Sequence, residues 1–185
     1  IKCVLVAAGK YHDIDYARLE VMKLLAEDDR IRVRVFEDYE NLEAIKNADF
    51  LVSYTCDVQP SAAAQKNIQD FVNGGGRYFA LHGTNAVLKF LENGLVDAPD
   101  EMPVFADTLG TRFLSHPPII PFTVDNAQPD HPLVKGIPSF ETTDAAITTW
   151  SRCSTGGRRL TGPAGSSRSS TTCCGAASAG AAKPR

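Results

Sequence analysis

Four histidines stand at positions 12, 82, 116 and 131, with Asp13 beside the first and Asn85 three residues after the second. Imidazoles close to carboxylates allow two chemistries. Neutral ring nitrogens of His12, His82 and His116 can ligate a divalent metal such as zinc. The same rings can instead act directly as general acid and base on a polar substrate. A plainer use exists for His116 and His131, since each precedes a proline and is biased toward extended backbone, where it can serve turn hydrogen bonds. For His131 the turn reading is preferred; His12, His82 and His116 are taken as site residues.

The elements that must position these groups follow from the apolar pattern. Cys3–Ala8 is an unbroken apolar run and predicts a buried strand. Ile14, Ala17, Val21, Leu24 and Leu25 then form one helical stripe over residues 14–26, with Asp13 as its N-cap. Residues 31–35 alternate apolar side chains with arginine, the period of a strand with one face in water near a sheet edge. A short helix over 41–46 leads to a third strand at Phe50–Tyr54. Ser61 caps a helix whose stripe is Ala64, Ile68, Phe71 and Val72, and Gly74–Gly76 ends it. Tyr78–Leu81 predicts a strand buried on both faces, His82–Gly83 a change of direction, and residues 84–91 a further helix. Prolines break up the chain beyond Gly94, leaving residues 119–124 as a peripheral strand.

Strands alternating with helices imply a mainly parallel sheet with right-handed crossovers. With the second strand at the edge, the order becomes 2-1-3-4, that of a flavodoxin-like α/β sandwich of three layers. Ligands bind such folds outside the carboxyl ends of the strands, where connections leave on opposite faces. The first, third and fourth strands deliver Tyr11, His12, Asp13, Cys56, Asp57, His82, Thr84 and Asn85 to that edge. His82 is thereby the central candidate, with His12 and His116 as metal ligands or proton-transfer partners. Asp13 and Asn85 orient those groups or a substrate's hydroxyls.

Other sites fit poorly. The glycines at 74–76 lie between a helix and a strand, the reverse of a dinucleotide-binding loop, and the first loop lacks the small residues that cradle a flavin or nucleotide phosphate. No nucleotide or flavin is expected. A nucleophile elbow would place Ser or Cys at the strand-to-helix turn, which His82 occupies here. Cys56, on another loop, reads as an inert thiol.

Charged residues make up 22% of the 185 and hydrophobic ones 43%, values ordinary for one globular domain with a real core. No apolar run approaches the roughly 20 residues that span a bilayer, so no membrane partner is expected. Ile1-Lys2 leads straight into a strand without the pattern of a signal peptide, although a start other than Met leaves a removed leader open. None of the five cysteines has zinc or redox spacing, which makes the cytoplasm the default location. All 22 acidic residues fall within 1–144, which carries −9, whereas 145–185 carries +6 and no carboxylate. The acidic part offers no basic face for nucleic acid. The segment 145–185 loses apolar periodicity as well, as a flexible tail or a stretch translated in a shifted frame would. Residues 1–144 are therefore taken as the domain.

One ordered set of motifs carries a resemblance. Gly9-Lys-Tyr-His-Asp13 with Tyr16-Ala-Arg-Leu19, Tyr54-Thr-Cys-Asp57 and Ala80-Leu-His-Gly-Thr-Asn-Ala86 come first. Leu109-Gly-Thr-Arg-Phe113, His116-Pro117 and His131-Pro-Leu-Val-Lys-Gly136 follow. Together they resemble the ThuA-like, or trehalose-utilisation, family from about Ile1 to Asp144. The resemblance implies a flavodoxin-like domain of the class I glutamine amidotransferase-like superfamily that lacks the cysteine nucleophile. It also implies a role in trehalose or 3-keto-glycoside metabolism, as a hydrolase or lyase acting on an oxidised disaccharide. A non-catalytic carbohydrate-binding or regulatory module is the alternative, and an amidotransferase a distant third. The chain departs from the family pattern after Phe140-Glu-Thr142, so the closing part of the domain is expected to be incomplete.

Overall fold

The structure is a computed structural model that describes residues 1–90, 92, 96–97, 101–115, 118–144 and 148–151. Its centre is a four-stranded parallel sheet of β1 (Lys2–Gly9), β2 (Arg32–Phe36), β3 (Phe50–Cys56) and β4 (Arg77–Leu81), in the order β2-β1-β3-β4. The predicted order is the observed one. Side chains of a strand alternate between faces, and β1 divides accordingly. Cys3, Leu5 and Ala7 enter one core with Val52, packed against Ile14, Val21 and Leu25 of α1 (Ile14–Ala26). Val4 and Val6 enter the other, with Ile45 of α2 (Leu42–Lys46), Ile68 of α3 (Ala62–Asn73) and Phe105 of α4 (Pro103–Leu109). Helix, sheet and helix thus form three layers in a flavodoxin-like arrangement.

Local chemistry sets the element ends. The side chains of Asp13, Asn41 and Ser61 accept the backbone N–H of Tyr16, Ala44 and Ala64, so each cap satisfies an otherwise orphaned helical donor. Gly75, at φ +93°, turns the chain out of α3. On β2 the arginines 32 and 34 are exposed while Val33 and Val35 pack inward, as the alternation required of an edge strand.

Three expectations are corrected. Leu24 does not join the buried stripe of α1; it is 63% exposed. β4 is not buried on both faces: Phe79 is 57% exposed, and among the described residues the strand also stands at the sheet edge, with β3 its only neighbour. An apolar run reveals hydrophobic character and says nothing of whether another layer will cover each face. Nor does a helix follow His82. Residues His82–Asn85 make one 3-10 turn, and the chain then runs into the two-residue strand β5 (Lys89–Phe90), paired with β6 (Val96–Asp97).

Three short antiparallel pairs complete the description: β5 with β6, β7 (Thr111–Ser115) with β10 (Thr148–Ser151), and β8 (Ile120–Val124) with β9 (Phe140–Asp144). β10 lies past the boundary drawn at 144; the remainder of 145–185 lies outside the described residues, as does His116. Among the described residues no helix is long and apolar enough to cross a membrane.

Candidate functional site

The loops after β1, β3 and β4 meet at the carboxyl edge of the sheet, and each holds one non-glycine residue in the left-handed region. Tyr11 has φ 68°, Asp57 φ 59° and His82 φ 50°. Such backbone costs a side-chain-bearing residue about 1–2 kcal/mol and persists only where its surroundings hold it. The surroundings are tight. A Cβ on Gly9 would lie 2.0 Å from the carbonyl oxygen of Cys56, and one on Gly83 would lie 3.1 Å from that of Thr55. Only glycine lets the ends of β1 and of the 3-10 turn press this closely on β3.

A polar staple ties the three loops together. Asp57, its side chain 4% exposed, accepts Lys10 Nζ at 2.8 Å and, through its other oxygen, the backbone N–H of Leu88 at 2.9 Å. Its own N–H donates to the carbonyl of Ala86 at 2.8 Å. The ion pair raises the Lys10 ammonium above its ordinary value, through the hydrogen bond first and the charge second.

Against this frame His12 and His82 converge. Their Nε2 atoms are 3.2 Å apart, with ring centroids at 4.3 Å and planes 82° from each other. Tyr54 lies parallel to the His82 ring, 5.5 Å between centroids and 8° between planes, and meets His12 edge-on at 6.4 Å. Burial pushes the Tyr54 phenol up, with smaller contributions from Cys56 and Asp13. Neutral imidazoles in this position make one N–H···N hydrogen bond, so one ring holds a proton where the other presents a lone pair. The same separation suits joint ligation of one ion. Two nitrogens at tetrahedral positions on zinc, each about 2.0–2.1 Å from it, stand about 3.3 Å apart. Among the described residues no group of three or more His, Cys, Asp and Glu converges to hold a metal. His12 and His82 supply two nitrogen donors and fall short of such a group.

The other expected site residues are placed as follows. Asp13 Oδ1 accepts the N–H of Tyr16 at 2.9 Å and so serves the cap of α1. Asn85 donates Nδ2 to Thr111 Oγ1 at 3.0 Å. Its Oδ1 is buried without a hydrogen-bond partner among the described residues, and it lines a shallow hollow with Val87, Phe105 and Arg112. His131 makes the turn it was assigned: its Nδ1 accepts the N–H of Leu133 at 3.3 Å, and its carbonyl those of Val134 and Lys135. Cys56 is 4% exposed, and burial followed by the Asp57 charge pushes its thiol up, which leaves little thiolate.

Sequence reasoning left Tyr54 and Lys10 out of the site set. Tyr54 reads as one more strand residue, and its position at the carboxyl end of β3 is the signal that could have marked it. Lys10 and Asp57 are 47 residues apart, and no local pattern announces their pairing.

Residues 3–155 match the model of a family described as ThuA, trehalose utilisation. No curated protein matches the chain. Two solved structures are similar in fold. A ThuA-like protein from Bacteroides uniformis has a TM-score of 0.58 and 18% identity, over 82% of this chain and 60% of that one. A ThuA-like protein from Parabacteroides merdae has a TM-score of 0.52 and 16% identity, over 80% and 62% respectively. The chain therefore spans about three-fifths of the length of these relatives.

Proposed function

The chain belongs to the ThuA family of trehalose utilisation, which matches residues 3–155, and from that footing we propose that its His12–His82 pair acts on an oxidised disaccharide as a lyase or hydrolase. The observation that carries the reading is the 3.2 Å separation of the two Nε2 atoms at the open edge of the sheet. Within that hydrogen bond one ring holds the proton and the other accepts it, so a substrate that parts the two rings meets a base and a proton donor side by side. A ketone at C3 of a sugar acidifies the hydrogen on C2. In the lyase form one imidazole takes that hydrogen as a proton. The electron pair forms the C1–C2 double bond, the C1–O bond breaks, and the departing oxygen takes a proton from the other imidazole. In the hydrolase form water supplies the oxygen that replaces the leaving group at C1.

Tyr54 supports this role by holding the His82 ring parallel to its own. Asn85 and Asp13, on the same edge, are proposed to orient substrate hydroxyls or the imidazoles themselves. A divalent ion such as zinc would be held by His12 and His82, with His116 as the expected third donor, and would supply Lewis-acid polarisation of the keto oxygen. A cytoplasmic location goes with the proposal, on the cysteine pattern given above.

Incubating the full chain with 3-keto-trehalose, with trehalose as control and with and without chelator, tests the reading by chromatography of the products. Consumption of the keto sugar but not of trehalose is expected, and its loss on chelation would favour the metal-dependent form. Binding without consumption would move the protein to a carbohydrate-binding module. Neither binding nor consumption would overturn the proposal.

A further inference from the structure

Beneath the site, on the opposite face of β3 from Tyr54, five hydroxyls run in a buried chain. Tyr39 Oη lies 3.0 Å from Thr55 Oγ1, and Thr55 Oγ1 donates to Thr84 Oγ1 at 3.4 Å. Tyr78 Oη lies 2.9 Å from Ser53 Oγ, which lies 3.0 Å from Thr84 Oγ1. Both branches meet at Thr84, 2% exposed, whose Oγ1 is 2.8 Å from the carbonyl oxygen of Leu81 and 3.3 Å from that of Ser53.

Proton accounting gives the chain a direction. A carbonyl only accepts, so the single Thr84 proton goes to Leu81 O, its nearer acceptor. Thr84 then accepts from Thr55, whose proton is thereby used, and Tyr39 must donate to Thr55. Burial keeps the Tyr39 and Tyr78 phenols protonated by raising both above the ordinary range. Each can therefore act as a donor throughout the neutral pH range.

We propose that Thr84 is a positioning residue for His82: the hydroxyl chain from Tyr39 through Thr55 and Thr84 ends on the Leu81 carbonyl and fixes the peptide that immediately precedes His82. That peptide plane is one side of the torsion that holds His82 at φ 50°. A rotation about it would swing the imidazole away from both Tyr54 and His12. The end of β3 thus grips the turn twice. Ser53 and Thr55 hold its backbone through Thr84, while Tyr54, one residue between them and facing the other way, holds the ring. The inference rests on the reading of the His12–His82 pair as the site, but its test needs no sugar.

The full chain with labelled histidine, observed by NMR, reads the geometry directly. Wild type should show a cross-peak between the His12 and His82 ring protons, and His82 ring protons displaced by the Tyr54 ring current. Thr84→Val, equal in shape but without the hydroxyl, should lose the cross-peak and the displacement while circular dichroism stays native. Thr84→Ser should restore both. Should Thr84→Val fail to fold, Tyr39→Phe removes the head of the chain and keeps the ring, and a partial loss of the same signals supports the proposal. A folded Thr84→Val or Tyr39→Phe protein with wild-type histidine signals overturns it. Signals lost in Thr84→Val, with 3-keto-trehalose untouched even by wild type, would uphold the positioning role and sink the proposed function instead.

Discussion

Tyr54 lies against His82 with the two rings 8° from parallel and their centroids 5.5 Å apart. A stacked pair contributes about 1 kcal/mol beyond the area it buries. Tyr54→Phe retains the ring and should leave the affinity for 3-keto-trehalose near wild type. Tyr54→Leu frees the imidazole and should weaken it about fivefold, the equivalent of that energy. A titration in which both variants bind alike would show that the stack does not orient His82.

Gly9 and Gly75 both have positive φ, at 121° and 93°, yet they should respond differently to alanine. At Gly9 the new Cβ would sit 2.0 Å from a backbone oxygen of β3, whereas at Gly75 nothing lies within 4 Å. Gly75→Ala carries the backbone penalty alone, about 1 kcal/mol. Gly9→Ala must also separate β1 from β3 and should cost about 3 kcal/mol or more. Urea unfolding decides the matter, and equal losses would mean that the two strands do not approach so closely.

Cys3 is 1% exposed, and burial raises its thiol from 9.0 to about 12. Between those values the unfolded chain gives up the proton and the folded chain keeps it. The unfolded state therefore binds fewer protons, and stability falls as pH rises through this window, by up to about 1.4 kcal/mol per unit. Below pH 9 the contribution is fully present. Cys3→Val should flatten the decline between pH 9 and 10, before the buried tyrosines add losses of the same sign. Parallel stability curves for the two proteins would remove Cys3 from the explanation.

Much of the sandwich was legible because its signals are local. The caps at Asp13 and Ser61, the arginine alternation of β2 and the stripe of α3 each depend on neighbours within a few residues. From these the strand order followed. What stayed hidden depends on distant partners or on backbone that side-chain identity does not encode. Val87 and Leu88 carry the spacing of a helix, but Asp57 takes the N–H of Leu88 from 31 residues away and holds the chain extended. His82 was found from its place after a strand. That it is itself left-handed, with Gly83 kept small by β3, could be seen only in three dimensions. The hydroxyls of Ser53 and Thr55 likewise look like ordinary strand residues until Tyr39, Tyr78 and Thr84 arrive beside them.

Cys56 should be dispensable. Its thiol is buried beside Asp57 and pushed up, and the strand-end turn is filled by His82. Cys56→Ser should keep at least about half of any activity on 3-keto-trehalose, since a buried thiol is not poised as a nucleophile. The wild-type chain should release no ammonia from glutamine. Glutaminase activity that disappears in Cys56→Ser would restore the amidotransferase reading.

The central claim is that the His12–His82 pair is the working site, and His82→Ala against wild type tests it most directly. His82 is exposed at the end of β4, so its removal leaves both cores in place and should change stability by only about 1 kcal/mol. Affinity for 3-keto-trehalose and melting temperature are measured on the same samples. The account predicts that binding is abolished while the melting temperature moves by a few degrees. Unchanged binding, or binding lost only because the variant unfolds, would contradict it and leave His82 a structural turn residue.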